Sequence, residues 1–395
     1  MKIIIVASGF TGATLPLANR LVKLGCEVIF YNMVQWDLTS TESIDYDTPR
    51  RMPLGRIEKL SQSNRLYTYL DGSIDFYIMP FWKHKKRLEK FIIGMIFPFI
   101  NKILIKKYSD YIRAEKPDFI SLLVNSERDL LMARHIKDFG IPYSITYHEV
   151  LQNHVGDGKL IPAVEETLKY GTPIILHSNN TAKNLIQAVG DTNIMKRIRV
   201  INFGPFESFL SYGEGRCPEG LPDNFLLYLG HVHPYKGLKY LYAAVNLVND
   251  RLDDVKIVVA GGGYDPIINK MKSNPRFVVY NHFIANAELV GLIRHCQAIV
   301  CPYIAASQSG LVQTGMAFNK PIIATKVGAF TEIIRDGENG FLCEPADAKS
   351  LADTIVRFLE NKKPLQISEI PNNLNWDIIT KEYLKLFMEL ENGKK

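Results

Sequence analysis

The sequence predicts an α/β protein of two domains, each a parallel sheet with helices on both faces. Three observations carry this. At 395 residues the chain is longer than one hydrophobic core usually serves. Short apolar runs, among them Ile3–Val6, Phe225–Leu229, Val255–Val259 and Ala298–Tyr303, alternate with stretches of helical spacing, and strands that read apolar on both faces belong to sheets covered on both sides. Several runs end in glycine- or serine-bearing turns, where such sheets bind their ligands.

Composition narrows the class. With 47% hydrophobic and 22% charged residues and no repeat or low-complexity tract, the chain reads as globular. Residues 1–205 hold 27 of the 47 Lys/Arg but 20 of the 41 Asp/Glu, so the net charge of +6 sits in the first half. That excess suits an anionic surface or anionic substrates; without an aromatic-basic motif it does not suit nucleic acid. The five cysteines, Cys26, Cys217, Cys296, Cys301 and Cys343, are scattered and odd in number, which predicts reduced thiols in a cytoplasmic protein. Cys296 and Cys301 lack the second pair or His doublet of a zinc site, so no metal is expected.

The first domain is expected over 1–205. Met1-Lys2 runs straight into Ile3–Val6, a buried strand and not a leader, and no apolar run reaches the ~18 residues of a membrane span. The loop Ala7–Thr14 follows, with Gly9 and Gly12, then a helix over Leu15–Leu24 and a strand over Val28–Tyr31. The glycine spacing is not the dinucleotide fingerprint. Residues 33–80 read as loops and short strands. Within 83–107 an apolar block is flanked by Lys83, Lys85, Lys86, Arg87 and Lys90 on one side and Lys102, Lys106 and Lys107 on the other. At about ten residues the block is too short to span, so it is either core or a shallow attachment to an anionic membrane surface. Pro117–Val124 and Ile141–Tyr147 are strands enclosing a helix over Leu130–Phe139. The second ends at Tyr147-His148-Glu149, with His154 beyond, where a histidine can exchange a proton near neutral pH or serve as a hydrogen-bonded structural group. Ile174–Leu176 runs into His177, which is assigned to packing. Ile198–Phe203 and Gly204-Pro205 close the domain.

The second domain is expected over 206–375. Phe225–Leu229 opens it and runs into Gly230-His231-Val232-His233-Pro234-Tyr235-Lys236-Gly237. Val255–Val259 leads into Gly261-Gly262-Gly263, glycines that allow either a ligand or another strand to come close. Phe277–Tyr280 is followed by Phe283 and Ile284. Ala298–Tyr303 and Pro321–Thr325 then flank a loop of Ser307, Gln308, Ser309 and Gly310 opening onto a helix, a place where free N–H groups and the helix dipole favour an anion, or where Ser acts simply as a cap. Leu351–Leu359 reads as an amphipathic helix and Trp376–Leu390, within 376–395, as a terminal one.

The stretch GLVQTGMAFNKPIIATKVGAFTEIIRDGENGFL resembles the donor-nucleotide segment of family-4 glycosyltransferases of group 1. Met316, Ala317, Lys320, Pro321, Gly328, Glu332 and Gly340 match. The two glutamates of the usual motif are replaced by Ala306 and Thr314, and a variant with Gln-Ser-Gly in this loop occurs in the family. The turn 230–237 resembles the family's Gly-Arg-x-x-Pro-x-Lys-Gly, with Lys236 in place and His231 at the arginine position. The resemblance implies the GT-B fold: two Rossmann-like domains facing a cleft, with the terminal helix crossing back to the first.

It also implies retaining transfer of a sugar from a UDP- or GDP-linked nucleotide-sugar to a glycan or lipid-linked acceptor in bacterial surface polysaccharide synthesis, with no further cofactor. The enzyme would be cytoplasmic, or peripheral at the inner face of the membrane. Catalytic roles fall on His148, Lys236 and Glu332. Substrate contacts fall on Gly9, Phe10, Thr11 and Gly12 in the first domain. In the second they fall on His231, Gly263, Phe283, Ile284, Gln308, Ser309, Gly310, Leu311 and Thr314. Two rivals stand beside this reading: a non-catalytic nucleotide- or glycan-binding relative, suggested by the missing glutamates, and a sugar-nucleotide epimerase of similar fold.

Overall fold

The computed structural model describes residues 1–395 except 36–39, 42–43, 46–53, 82–96, 125, 153–158, 249–254, 362–364, 366–369 and 394–395. It falls into two compact units, one of Met1–Gln152, Asp157–Phe203 and Trp376–Lys395, the other built on Gly204–Asn375.

The first unit carries an eight-stranded sheet in the order Ile198–Val200, Ile174–Leu176, Tyr143–Tyr147, Phe119–Leu123, Lys2–Ala7, Glu27–Gln35, Asp75–Phe81, Glu58–Lys59. All pairs are parallel except the last. Ile3 to Ala7 are all buried, which is what an Ile/Val run sandwiched between helix layers requires. The terminal helix Trp376–Asn392 belongs to this unit: Phe387 stacks on Phe119 at 4.1 Å and Asp377 pairs with Arg20 at 3.6 Å.

Residues 33–80 depart from the sequence reading. Glu27–Gln35 is nine residues long, and Asp75–Phe81 pairs along it in register from Ile29↔Asp75 to Gln35↔Phe81. Pro80 makes that segment read poorly as a strand, since it cannot donate to a ladder. Here it can be accommodated because the neighbour on the other side reaches only Tyr77 and Ile78. Most of the basic-apolar block, 82–96, and His154 lie outside the described residues. Phe97–Ala114 is one helix; Leu104, Ile105, Tyr108 and Ile112 are buried, whereas Phe99 is 65% and Ile103 53% exposed.

The second unit carries a six-stranded parallel sheet in the order Phe277–Tyr280, Lys256–Ala260, Phe225–Leu229, Ala298–Cys301, Ile322–Thr325, Gly340–Cys343. The order reverses between Phe225–Leu229 and Ala298–Cys301, so the loops after these two strands diverge at the point where doubly wound sheets hold ligands. Both carry predicted site residues. No helix among the described residues is long and apolar enough to cross a membrane.

Candidate functional site

In the second unit the turn 230–237 and the chain after Cys301 are locked backbone to backbone. A Cβ at Gly237, which has φ +73°, would sit 1.8 Å from the Pro302 carbonyl oxygen, and the Ile304 N–H donates to the Tyr235 carbonyl at 2.9 Å. This close approach lays the Lys236 ammonium 3.8 Å over the ring of Tyr303. Tyr303 is buried, and its hydroxyl lies 3.4 Å from Ser309 Oγ. Lys236, Tyr303 and Ser309 therefore form one connected group. Lys236 is half-buried, and burial pushes its ammonium down to about 8 against a smaller opposing effect of Cys301.

Ser309 is the N-cap of the helix Gly310–Ala317 but makes no side-chain cap bond, so the first amides are not claimed by it. Behind the loop, Gly328 at φ +52° meets the Ala306 carbonyl, where a Cβ would lie 1.8 Å away, and the Ala329 N–H donates to Ser307 at 3.0 Å. Gln308 keeps both ends of its buried amide without a partner among the described residues, an arrangement that costs energy unless something binds there. Glu332 stands on the short helix Phe330–Ile333 that follows this brace.

Four of the predicted substrate contacts also have partners within the protein. Thr314 is buried inside the helix, its hydroxyl donated to the Gly310 carbonyl at 2.7 Å. Leu311 and Ile284 pack against the core. Gly263, at φ +143°, is there because a Cβ would fall 2.2 Å from the Val232 carbonyl; backbone packing explains this glycine. His231 is exposed, its carbonyl accepting from the Tyr228 hydroxyl at 2.9 Å. Phe283, at 75% exposure, presents its ring to solvent, and so does Tyr264 at 76%, on the other flank of the glycine loop. Tyr303 and Tyr264 escaped the sequence reading. The signal for Tyr303 was an aromatic residue just past a strand of the switch point; for Tyr264 there was only its place beside three glycines.

The first unit has its own cluster. Gly9 and Phe10 both have positive φ (87° and 52°), and the helix Thr11–Lys23 starts immediately after them. Phe10 lies face to face on His148, ring centroids 3.4 Å apart, and His177 and Phe203 complete the cluster. Thr11 and Gly12 are buried beneath the loop. Burial pushes His177 down to about 4, against its 2.9 Å contact with the Ile201 carbonyl, so it is the packing residue expected. Asp129, also missed, is buried and accepts from the hydroxyls of Ser8 and Ser126 at 2.8 Å each, tying the loop before Gly9 to the helix Glu127–Ile136. A cavity of about 20 Å³ beside His148, Thr146 and Tyr383 has room for one water. Among the described residues no group of His, Cys, Asp and Glu is arranged to hold a metal.

Residues 223–361, which contain the Lys236–Tyr303–Ser309 group, match the family described as glycosyl transferases, group 1. Residues 223–361 are a group 1 glycosyltransferase domain. The chain is 28% identical over 216 residues to an uncharacterised glycosyltransferase of Methanocaldococcus jannaschii, covering 51% of this chain and 56% of that protein. It is 25% identical over 172 residues to a phosphatidyl-myo-inositol mannosyltransferase of Mycobacterium leprae, covering 41% and 46%. The chain thus spans about half the length of these two relatives. Among solved structures, the Anabaena protein HepE in complex with UDP-glucose covers 100% of this chain and 99% of its own, with a TM-score of 0.61 at 15% identity. At 15% and 12% identity, the likeness to solved sucrose-phosphate synthase and starch synthase structures shows the fold of the two units, which is GT-B.

Proposed function

We propose that the protein transfers a sugar, with retention of anomeric configuration, from a UDP- or GDP-linked donor to a glycan or lipid-linked acceptor in the assembly of a surface polysaccharide. The observation that carries this is the meeting of Lys236, Tyr303 and Ser309. Two separated segments, the turn 230–237 and the connection between Cys301 and Gly310, converge there on one cation and the start of one helix.

Breaking the bond from the anomeric carbon to the diphosphate leaves negative charge on the departing phosphate as the sugar becomes oxocarbenium-like. Lys236, the Ser309 and Gly310 amides and the helix dipole meet that charge, and each matters more as the charge develops than in the ground state. The unpartnered Gln308 amide offers a donor and an acceptor to the same ligand. Phe283 and Tyr264 supply ring faces on which a base can stack. Glu332 orients the sugar or the diphosphate loop, and His148 serves the acceptor and sugar side from the first unit. HepE was solved with UDP-glucose, and the Mycobacterium leprae relative is named for a lipid acceptor; both favour this substrate class.

The exposed face of the Phe97–Ala114 helix, with Phe99, Ile103, Lys102, Lys106 and Lys107, fits peripheral attachment to an anionic membrane, where a lipid-linked acceptor would be presented.

The test is thermal melting of the full chain across UDP-, GDP- and ADP-sugars, followed by product analysis with the stabilising donor. A ligand at about 100 times its Kd should add about 2.7 kcal/mol. Sugar transfer or donor hydrolysis supports the proposal. Binding without turnover would leave a non-catalytic relative, conversion of the donor without an acceptor would mean an epimerase, and no stabilisation by any of the three overturns the donor site.

A further inference from the structure

The first unit contains a second cavity, on the sheet face covered by the Phe97–Ala114 helix. It measures about 480 Å³, within the range of about 300–1,000 Å³ usual for small-molecule sites. Glu115, just past that helix, lines it and pairs with Lys2 at 3.0 Å, at the amino-terminal end of the first strand. Phe10 and His148 follow carboxyl-terminal ends of strands, so the cavity is a different place in the unit. One wall is Tyr31 and Tyr77, opposite each other on neighbouring strands and stacked at 5.2 Å. The facing wall, Leu54 to Ile57, is held by the Tyr108 hydroxyl, which accepts from the Gly55 N–H at 3.1 Å and donates to the Pro80 carbonyl at 2.5 Å.

Apart from Glu115, the polar side chains facing this space are unmatched among the described residues. Tyr31 is only 2% exposed, yet its hydroxyl has no hydrogen-bond partner among the described residues. The ring is buried while its hydroxyl is left to the cavity. The hydroxyls of Tyr77 and Tyr111 are likewise unmatched there, and Arg56 and Lys107, both exposed, make no ion pair among the described residues. Burial raises the Tyr31 phenol, with Glu115 the next contributor, so it stays a neutral donor.

We propose that this cavity binds a phosphorylated polyol, either a soluble sugar phosphate or a phospholipid headgroup. Arg56 and Lys107 hold the phosphate, the guanidinium as a two-pronged donor and the ammonium as a point charge. Tyr31, Tyr77 and Tyr111 take the polyol hydroxyls and cover its apolar face, and Glu115 accepts from one of them. A bare phosphate would leave the three phenols unmatched and would face the Glu115 carboxylate. The proposal stands on the first unit alone and does not depend on the donor site.

Calorimetric titration of the full chain with glucose 6-phosphate tests it. Saturable one-site binding is expected, with glucose and inorganic phosphate each at least about tenfold weaker. The double variant R56Q/K107Q, changed only at exposed positions, should lose about tenfold or more. Tyr31→Phe, which removes one oxygen, should lose about threefold with an unchanged melting temperature. Lys236→Met should bind as the parent does, which separates this cavity from the donor site. Displacement of glucose 6-phosphate by phosphatidylglycerol vesicles, but not by phosphatidylcholine vesicles, assigns the lipid headgroup as the source. Failure of both to displace it assigns the soluble ester, and either result supports the cavity. The proposal is overturned by the absence of saturable binding, by equal affinity for inorganic phosphate, or by binding indifferent to both R56Q/K107Q and Tyr31→Phe.

Discussion

Phe10 covers His148 ring on ring, with centroids 3.4 Å apart and planes 23° from parallel. Phe10 holds this position from a left-handed backbone at φ 52°, which costs an ordinary residue about 1–2 kcal/mol. The stacked pair returns about 0.5–1.5 kcal/mol of that. His148→Ala is expected to lower turnover by about 100-fold and leave nucleotide-diphosphate affinity within about twofold. Phe10→Ala, which frees the imidazole to tilt, should lower turnover by about tenfold. Rates at saturating donor beside equilibrium binding check both. If binding collapses while the saturated rate holds, the roles of the two units are reversed.

Lys236 makes a prediction about pH. Its pKa of about 8 in the folded chain lies below the ~10.4 of an unfolded lysine. Between these values the unfolded chain binds the extra proton, so this group's contribution to stability rises with pH across that window and its cost is greatest below pH 8. Lys236→Met should therefore raise stability at pH 7 by on the order of 1 kcal/mol, after discounting for contact with water, and by almost nothing above about pH 10.5. Diphosphate affinity of the parent should fall as pH passes about 8, because the neutral amine no longer pairs with phosphate. Denaturant melts at the two pH values and a UDP titration from pH 7 to 9 measure this. A variant no more stable at pH 7 would remove the buried-cation reading.

Lys236→Ala should also lose about 2–4 kcal/mol of transition-state stabilisation, a rate loss of roughly 30- to 1,000-fold, while folding intact. Transfer within a few-fold of the parent would remove Lys236 from the mechanism.

Gly237→Ala should be one of the most damaging single-methyl changes in the second unit. Its φ of +73° and a Cβ 1.8 Å from the Pro302 oxygen force the turn and the Tyr303 loop apart. A loss of more than about 2 kcal/mol in stability is expected, with donor binding falling alongside it. A variant melting within a degree of the parent would show that the contact can yield.

Membrane attachment is checked by co-sedimentation with vesicles containing phosphatidylglycerol. Binding should weaken with salt, fall when Lys85, Lys86, Lys106 and Lys107 become Gln, and fall again with Phe99→Ser and Ile103→Ser, since each basic residue near an anionic surface contributes about 1 kcal/mol. A protein that ignores these vesicles at low salt is not attached through this face.

What the sequence determined by itself is the class of fold and the place of the donor loops. Strands such as Ile3–Val6 and Phe225–Leu229 are local: an unbroken Ile/Val/Leu run has few options except a sheet buried on both faces. The Lys236 turn and the Ser309 loop were legible because each follows such a strand. What only the tertiary structure decided is what those residues touch. Gly263 and Thr314 serve backbone approach and an intrahelical bond, and Lys236 leaves solvent for the ring of Tyr303. Asp75–Phe81 becomes a full strand because its partner is already extended and its proline falls beyond the reach of the neighbour. Apart from the local Thr314 bond, each outcome depends on atoms tens of residues apart in the chain coming within a few ångströms, and a local pattern of residue types carries no record of that distance.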